Sequence, residues 1–441
     1  MKKQFILSLL VVAATASAQE GWTLRQCIDY AVEHNITIKQ AENAAKQSEV
    51  EVGTAKWARL PNLNASASQR WNWGRTNVPI QNADGTYSSV YVDKSTSGSN
   101  ISASTSIPLF TGFELPNQYK LAKLTLKANL ADLQQARENI AVNVAVTYMQ
   151  ALLNREIYEV AVGQVALSKE QRDRIARLVE VGKAPQAELS DAESRVAQDE
   201  LSVVQADNTY KLSILDLTQY IELDTPEGFS LAAPSAEEQT LKALTPPDEI
   251  YQVSVVQKPV IQAAQYRLQG AKHAVRVAQS GYYPTLSFSG SIGTSYNSTI
   301  NEGLSDQLYH QFNRNLGFSL NIPLFNRFAT RNRVRTARLQ QQNYVLQLDK
   351  VEKALYKEIQ QAWYSAVAAQ SKYRSSAVAA RAGSESFRLM NEKYTNGKAS
   401  AVEFNEAKQN LLSVRLNELQ AKYEYLFRSK ILDFYKGIPI E

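Results

Sequence analysis

The residues able to do chemistry in this chain are few. Cys27 is the only cysteine among 441 residues, which excludes an intrachain disulfide framework and any multi-cysteine zinc site. His34, His273 and His310 are scattered, without the spacing that brings two imidazoles onto one metal ion. No G-x-S-x-G, H-E-x-x-H or glycine-rich phosphate loop occurs, so no positioned nucleophile, base, metal or cofactor is expected and an enzyme reading has nothing to stand on. Lys and Arg number 48 against 43 Asp and Glu, a net of +5. Loss of Lys2 and Lys3 with a leader would leave +3, without the strong basic field of a nucleic-acid binder.

That leader is legible. Lys2 and Lys3, the apolar run Phe5 to Ala14 and then Ala16-Ser17-Ala18 follow the order of a secretory signal peptide, so residues 1–18 are expected to be removed and the mature chain to start at Gln19. No later run reaches 18 apolar residues, so no helical membrane span is expected. Cys27 lies nine residues past the expected cut, inside Trp22 to Ala31, which reads as the start of a helix; a packed thiol is expected there rather than a lipid anchor.

With only 18 Gly and 13 Pro the chain must be built from long elements, and its two halves echo one another. Leu60-Pro61-Asn62-Leu63 answers Tyr283-Pro284-Thr285-Leu286. Ile107-Pro108-Leu109-Phe110 returns as Ile322-Pro323-Leu324-Phe325, and Gly182-Lys183-Ala184 as Gly397-Lys398-Ala399, each 215 positions on. Within 61–109 and 284–323 the period is 2: Leu286, Phe288, Gly290, Ile292 and Tyr296 alternate with Ser287, Ser289, Ser291 and Ser295. Ala65, Ala67, Trp71 and Trp73 likewise oppose Asn64, Ser66, Arg70 and Asn72. This predicts four strands of about 10 residues, the length that crosses an outer membrane when tilted, joined by polar loops at roughly 74–95 and 297–311. Alternation alone also fits a soluble sandwich, but the polar face is Ser, Asn and Gly rather than Lys and Glu, which suits a lumen. Trp71, Trp73, Tyr87, Tyr91, Tyr282, Tyr283, Tyr296 and Phe312 gather near strand ends as a membrane girdle would, with Trp71, Trp73, Tyr296 and Phe312 its expected core. Four strands cannot close a barrel, so the chain must oligomerise.

The rest reads as helix. Residues 115–181 and 329–396 could each form one helix of about 100 Å at 1.5 Å rise per residue, followed by return helices 186–223 and 400–436. Helices 23–59 and 248–281 precede the two strand pairs, and a Pro-rich linker, 224–247, separates a first repeat, 19–223, from a second, 248–441. The heptad spacing alone would fit an exported coiled-coil structural or adhesive protein without a pore; paired strands at the same point of both repeats are what such rods lack.

Leu24, Ala31 and Asn35 (Leu-x6-Ala-x3-Asn), the two Pro-Leu-Phe strand exits and the two Gly-Lys-Ala turns, in this order, resemble the outer-membrane efflux protein family of TolC-like channels over about residues 20–438. The resemblance implies a mainly α fold with a four-stranded membrane β segment, a homotrimer whose shared 12-stranded barrel sits in outer-membrane lipid, and long antiparallel coiled-coil helices forming a periplasmic α-barrel. It implies a periplasmic adaptor and an inner-membrane pump of RND or ABC type as partners, no cofactor and no nucleic acid. The adaptor-contact tips would be Val181, Gly182, Lys183 and Ala184 with Gly397, Lys398, Ala399 and Ser400. Glu403 and Glu406, and by offset Glu188 and Asp191, would ring the periplasmic aperture. Ser400-x-x-Glu403 is also a capping box and Pro185 a favoured first helical residue, so capping alone and capping plus aperture both stay open.

Overall fold

The computed structural model describes residues 21–232 and 243–440, so the expected leader, 1–18, and the middle of the expected linker, 233–242, lie outside the described residues. In the first half run α1 (Leu24–His34), α2 (Ile36–Trp57), α3 (Glu114–Glu180) and α4 (Gln186–Tyr220). In the second run α5 (Pro247–Gln257), α6 (Pro259–Ser280), the short α7 (Leu304–His310), α8 (Ala329–Thr395) and α9 (Ala401–Tyr435). Leaving α7 aside, the lengths 11, 22, 67 and 35 residues occur in that order in both halves. Helices of 67 residues persist because neither contains a proline past the first turn to remove an N–H and clash with the preceding carbonyl.

The expected helices 23–59 and 248–281 are each broken once. Asn35 turns to an extended conformation after α1, and its Oδ1 accepts the Thr37 N–H at 2.9 Å, which starts α2. Its Nδ2 donates to the Tyr220 carbonyl at 3.2 Å. In the second half the break falls on Lys258, which is also extended, because Pro259 excludes the helical region for the residue before it.

The strands β1 (Asn62–Asn72), β4 (Thr96–Thr111), β5 (Thr285–Asn297) and β6 (Asn313–Asn321) form one antiparallel sheet in the order β1-β4-β5-β6. Between β1 and β4, the stretch 74–95 expected as a loop is a hairpin of β2 (Arg75–Gln81) and β3 (Tyr87–Asp93). Its turn is set by Asp84-Gly85, with Asp84 accepting the Thr86 N–H at 3.1 Å and Gly85 at positive φ. The other expected loop, 297–311, holds α7, tied down by the buried Gln307: its Oε1 accepts the Asn297 N–H at 2.9 Å and its Nε2 donates to the Glu302 carbonyl at 2.8 Å. The strands also differ at their exits. β4 continues through Pro108 and Phe110, whereas β6 stops at Asn321 and leaves Ile322-Pro323-Leu324-Phe325 outside the sheet.

Cross-strand partners share a face, so the register assigns the two sides of the sheet. Ala65↔Ala103↔Ile292↔Arg314 and Ile107↔Phe288↔Phe318 lie on one side, and Ser66↔Ser102↔Gly293 on the other. The period of 2 therefore becomes an apolar face and a face of serine, asparagine and glycine. An irregularity between Pro108 and Phe110 makes Phe110 the partner of Leu286, which returns Phe110 to the apolar face.

The chain divides into two compact units. One takes the N-terminal residues to Asn43, Ala131–Gln262 and Lys350 onward; the other takes Ala44–Leu130 and Ala263–Asp349. The first has a core of Cys27, Ala31, Ile38, Val144, Leu152, Leu217 and Tyr425, and burial pushes the Cys27 thiol up to about 12. The second holds the sheet and buries Ala128, Ala271, Val275, Ala278 and Val334, with Asn129 donating to Ser48 at 2.5 Å. After the strand exits the chain reverses through adjacent left-handed residues, Gly112-Phe113 and Arg327-Phe328, into α3 and α8. A Cβ on Gly112 would sit 2.7 Å from the Ser280 oxygen and 2.9 Å from the Tyr283 Cβ, whereas one on Gly182, also left-handed, would meet nothing within 4 Å. Gly182→Ala is therefore expected to cost only about 1–2 kcal/mol of left-handed strain. Gly112→Ala should add a clash of about 1–3 kcal/mol, so its thermal midpoint in detergent should fall further, and equal midpoints would refute the close approach.

Candidate functional site

Both hairpin tips are closed by the same device. At the end of α3, Gly182 is left-handed and its N–H donates to the Val179 carbonyl at 2.9 Å, while the Lys183 N–H donates to Leu178 at 2.8 Å. At the end of α8, Gly397 repeats this toward Tyr394 at 3.1 Å and Lys398 toward Lys393 at 2.8 Å. These are Schellman caps, which need a residue tolerant of positive φ at that position and so account for both tip glycines. Val181, Lys183 and Lys398 stand exposed around them, Ala184 and Ala399 are half-buried, and Ser400 is exposed. The side chains presented are thus short or cationic.

The return helices start differently. α4 follows Pro185, which is extended and gives no side-chain cap. α9 follows Ser400, whose Oγ accepts the Glu403 N–H at 3.3 Å while Glu403 Oε2 accepts from the Ser400 N–H and hydroxyl, each at 2.8 Å. Hydrogen bonding from the Ser400 backbone, then from its hydroxyl, holds the Glu403 carboxyl below its ordinary pKa. Glu403 is therefore a charged capping residue in this chain. Glu406, Glu188 and Asp191 are exposed on the first two turns of the return helices. The structure brings each acid to its own tip and no two of them to a hydrogen bond.

Two groups near the tips escaped the sequence. Arg174 of α3 donates from Nη2 to the carbonyls of Thr395 at 2.7 Å and Tyr394 at 3.3 Å, satisfying the otherwise open end of α8. Its guanidinium lies 5.1 Å from the Tyr394 ring, which stacks at 4.6 Å on the buried Phe404 of α9. Further along α9, Lys408 is buried between Asp199 of α4, 3.1 Å away, and the Ser168 hydroxyl of α3. A signal for Lys408 did exist: it sits between Phe404 and Leu411 at helical spacing, a cation on an otherwise buried stripe. Arg174 had none, since its partners are backbone carbonyls 220 and 221 positions away.

Four of the expected girdle aromatics, Trp71, Trp73, Tyr296 and Phe312, collect at one end of the sheet. Trp71 pairs with Ser97 and Tyr296 with Ser99, on the apolar face; Trp73 follows β1 and Phe312 precedes β6 at the same end. Trp71, Trp73 and Phe312 are exposed and Tyr296 is half-buried. The opposite end carries a second aromatic set, in which the expected Tyr283 is joined by phenylalanines that the alternation does not single out. Phe110 meets Phe113 edge-on at 5.3 Å, Phe113 meets Tyr283 at 5.9 Å, and Phe325 meets Phe328 at 5.6 Å. Apolar residues between two aromatic rims are what a bilayer-crossing sheet needs. Among the described residues no helix is long and apolar enough to cross a membrane, and no cluster of His, Cys, Asp and Glu could hold a metal ion.

The family described as "Outer membrane efflux protein" matches residues 27–221 and 250–437. Among individual proteins, the chain is 21% identical to the outer membrane efflux protein BepC of Brucella suis biovar 1 (strain 1330), over 97% of this chain and 87% of that one. It is 24% identical to the outer membrane protein TolC of Escherichia coli (strain K12), over 78% of this chain and 71% of that protein. The solved structure of the Campylobacter jejuni CmeC outer membrane channel has the same fold, with a TM-score of 0.77 at 19% identity, covering 95% of this chain and 86% of that one.

The start of α9 should respond to pH. A carboxyl whose folded pKa lies below its unfolded value stabilises above the unfolded value, and that stability is lost as pH falls through the folded one. Amide protection at Ser400 and Glu403, corrected for intrinsic exchange, should therefore be greatest at neutral pH and decline below the ordinary Glu range of about 4.3. Ser400→Ala should weaken this turn by about 1 kcal/mol. Glu403→Gln should remove the pH dependence; a variant that keeps it would mean that another group titrates there.

Proposed function

The chain belongs to the outer membrane efflux protein family, and from that premise we propose that it is a trimeric outer-membrane channel-tunnel, the passive exit duct of a tripartite efflux or secretion system. The observation that carries this reading is the sheet: four strands, one face apolar and one small and polar, with β1 and β6 left as edges. Three copies joined edge to edge give 12 strands, with the serine, asparagine and glycine faces turned to a shared lumen and the apolar faces to lipid. The long helices then extend into the periplasm, and their tips meet a periplasmic adaptor that couples the duct to an inner-membrane pump.

No step of this function needs covalent chemistry. The pump supplies the energy, and the channel supplies a continuous polar path and an entrance that opens when the adaptor engages the tips. The two Schellman turns present Lys183 and Lys398 for that contact, and Arg174 ties α3 to the end of α8 so that the two tips move as one piece. Of the acids, Glu406, Glu188 and Asp191 are the side chains free to line the entrance, while Glu403 contributes its charge from within the cap. Three converging copies would place like charges close together and favour cations.

Planar-bilayer recordings of the detergent-extracted mature protein test this, with crosslinking to count subunits. The expected outcome is a crosslinked trimer with small cation-selective steps, and in Glu406→Gln/Asp191→Gln a cation preference reduced about severalfold with the steps retained. Unchanged selectivity would discard the acidic entrance and keep the duct. A protein soluble in plain buffer that inserts no channel would point instead to an exported coiled-coil protein without a pore.

A further inference from the structure

The two units differ sharply in charge. The unit holding the sheet, 44–130 and 263–349, carries 18 Lys and Arg against 8 Asp and Glu, a net of +10 on a chain whose total is +5. The excess is concentrated: from Gln307 to Leu348 there is no acidic residue and there are six arginines. Three of them, Arg331, Arg335 and Arg338, share one face of the first three turns of α8 and line an open cavity of about 490 Å³ with Tyr282 and Tyr283. All three are exposed, and none makes an ion pair among the described residues.

This arrangement breaks two rules of helix electrostatics. A helix start favours acids, yet the first turn of α8 has none and bears Arg331. Like charges at i,i+4, here Arg331 and Arg335, repel. Each violation is small, but the chain repeats them without a compensating carboxylate, which is how a site awaiting an external anion differs from an ordinary solvated surface. Guanidinium forks match phosphate oxygens in particular.

The position of the cavity selects the anion. Phe110 shares the apolar face with Leu286 and meets Phe113 edge-on, and Phe113 in turn meets edge-on Tyr283, which lines the cavity. The arginines therefore stand at the rim of the apolar face, at the end where β4 and β6 exit, beside aromatics suited to headgroup level. We propose that Arg331, Arg335 and Arg338 form a site for the phosphate of an anionic phospholipid whose acyl chains lie along the apolar face at Leu286 and Leu320. The inference rests on the reading that this sheet spans the outer membrane, and it deepens that reading by assigning the chain a lipid ligand at its periplasmic rim.

Native mass spectrometry of the mature protein in neutral detergent, titrated separately with dioleoylphosphatidylglycerol, dioleoylphosphatidylcholine and inorganic phosphate, tests the site. The wild type is expected to hold phosphatidylglycerol at least about tenfold more tightly than phosphatidylcholine. Arg331→Gln/Arg335→Gln/Arg338→Gln should lose that preference, and Lys350→Gln/Lys357→Gln/Arg374→Gln, which removes equal charge from the same helix, should keep it. The proposal fails if the first triple variant retains the preference, if both variants lose it equally, or if inorganic phosphate binds as tightly as the lipid. Bilayer recordings on the same preparations separate the two levels: channels without a lipid preference overturn this inference alone, whereas absence of channels overturns the reading beneath it.

Discussion

A β-sheet with two free edges cannot stand in hydrocarbon. Each unpaired N–H or C=O there costs several kcal/mol, and β1 and β6 each expose a row of them. Within one chain nothing among the described residues covers these edges, since the β2–β3 hairpin forms a separate sheet. If the sheet spans a membrane, the single protomer is therefore incomplete there, and joining β1 of one copy to β6 of the next, as in the proposed trimer, is the repair. The same constraint would account for the polar face: serine, asparagine and glycine are poor residues for a soluble core, but they suit the wetted lumen of the proposed barrel.

The helices meet a different constraint. Elements of 67 residues can slide against one another, because an apolar pattern repeating every seven residues looks nearly the same one heptad on. A slip of that size moves a side chain by about 10 Å. Breaks and caps supply fixed points against it. Asn35 anchors the α1–α2 junction to the Tyr220 carbonyl, and Lys258 anchors the α5–α6 junction to Glu138 at 3.0 Å, with its ammonium 3.3 Å from the Phe434 ring centre. Burial lowers the Lys258 pKa, and Glu138 opposes that shift and keeps the cation partnered.

What could be read in advance follows from the range of the interactions involved. Period-2 alternation, tip glycines and the Ser400-Glu403 box are local, and all three describe what the structure contains at those residues. The hairpin at 74–95 was hidden because its strands are short and polar, although Asp84-Gly85 between Val78/Ile80 and Val90/Val92 carried a turn signal. Seven-residue α7 is too short for a periodic pattern, and it is held by Gln307 rather than by an apolar face. The break at Lys258 was signalled by Pro259; the one at Asn35 was not, because only the Tyr220 carbonyl and a local Asx turn distinguish it from a continuing helix. Arg174 and the phenylalanines that join Tyr283 in the second aromatic rim depend on pairings that no local pattern encodes.

Buried charge in the tip-bearing unit shows why such long-range pairings matter. Lys408 with Asp199, and Lys422 with Glu156 at 3.6 Å, place cations of α9 against α4 and α3 where leucines would pack with less desolvation. As sources of stability these pairs are weak. As selectors of register they are strong: a one-heptad slip leaves Lys408 buried without its carboxylate, at a cost of about 3–5 kcal/mol, while the apolar contacts on either side are largely replaced. The proposed entrance, built from helix tips, needs those tips level with one another. The polar pairs secure that alignment where hydrophobic packing, repeating along each helix, cannot.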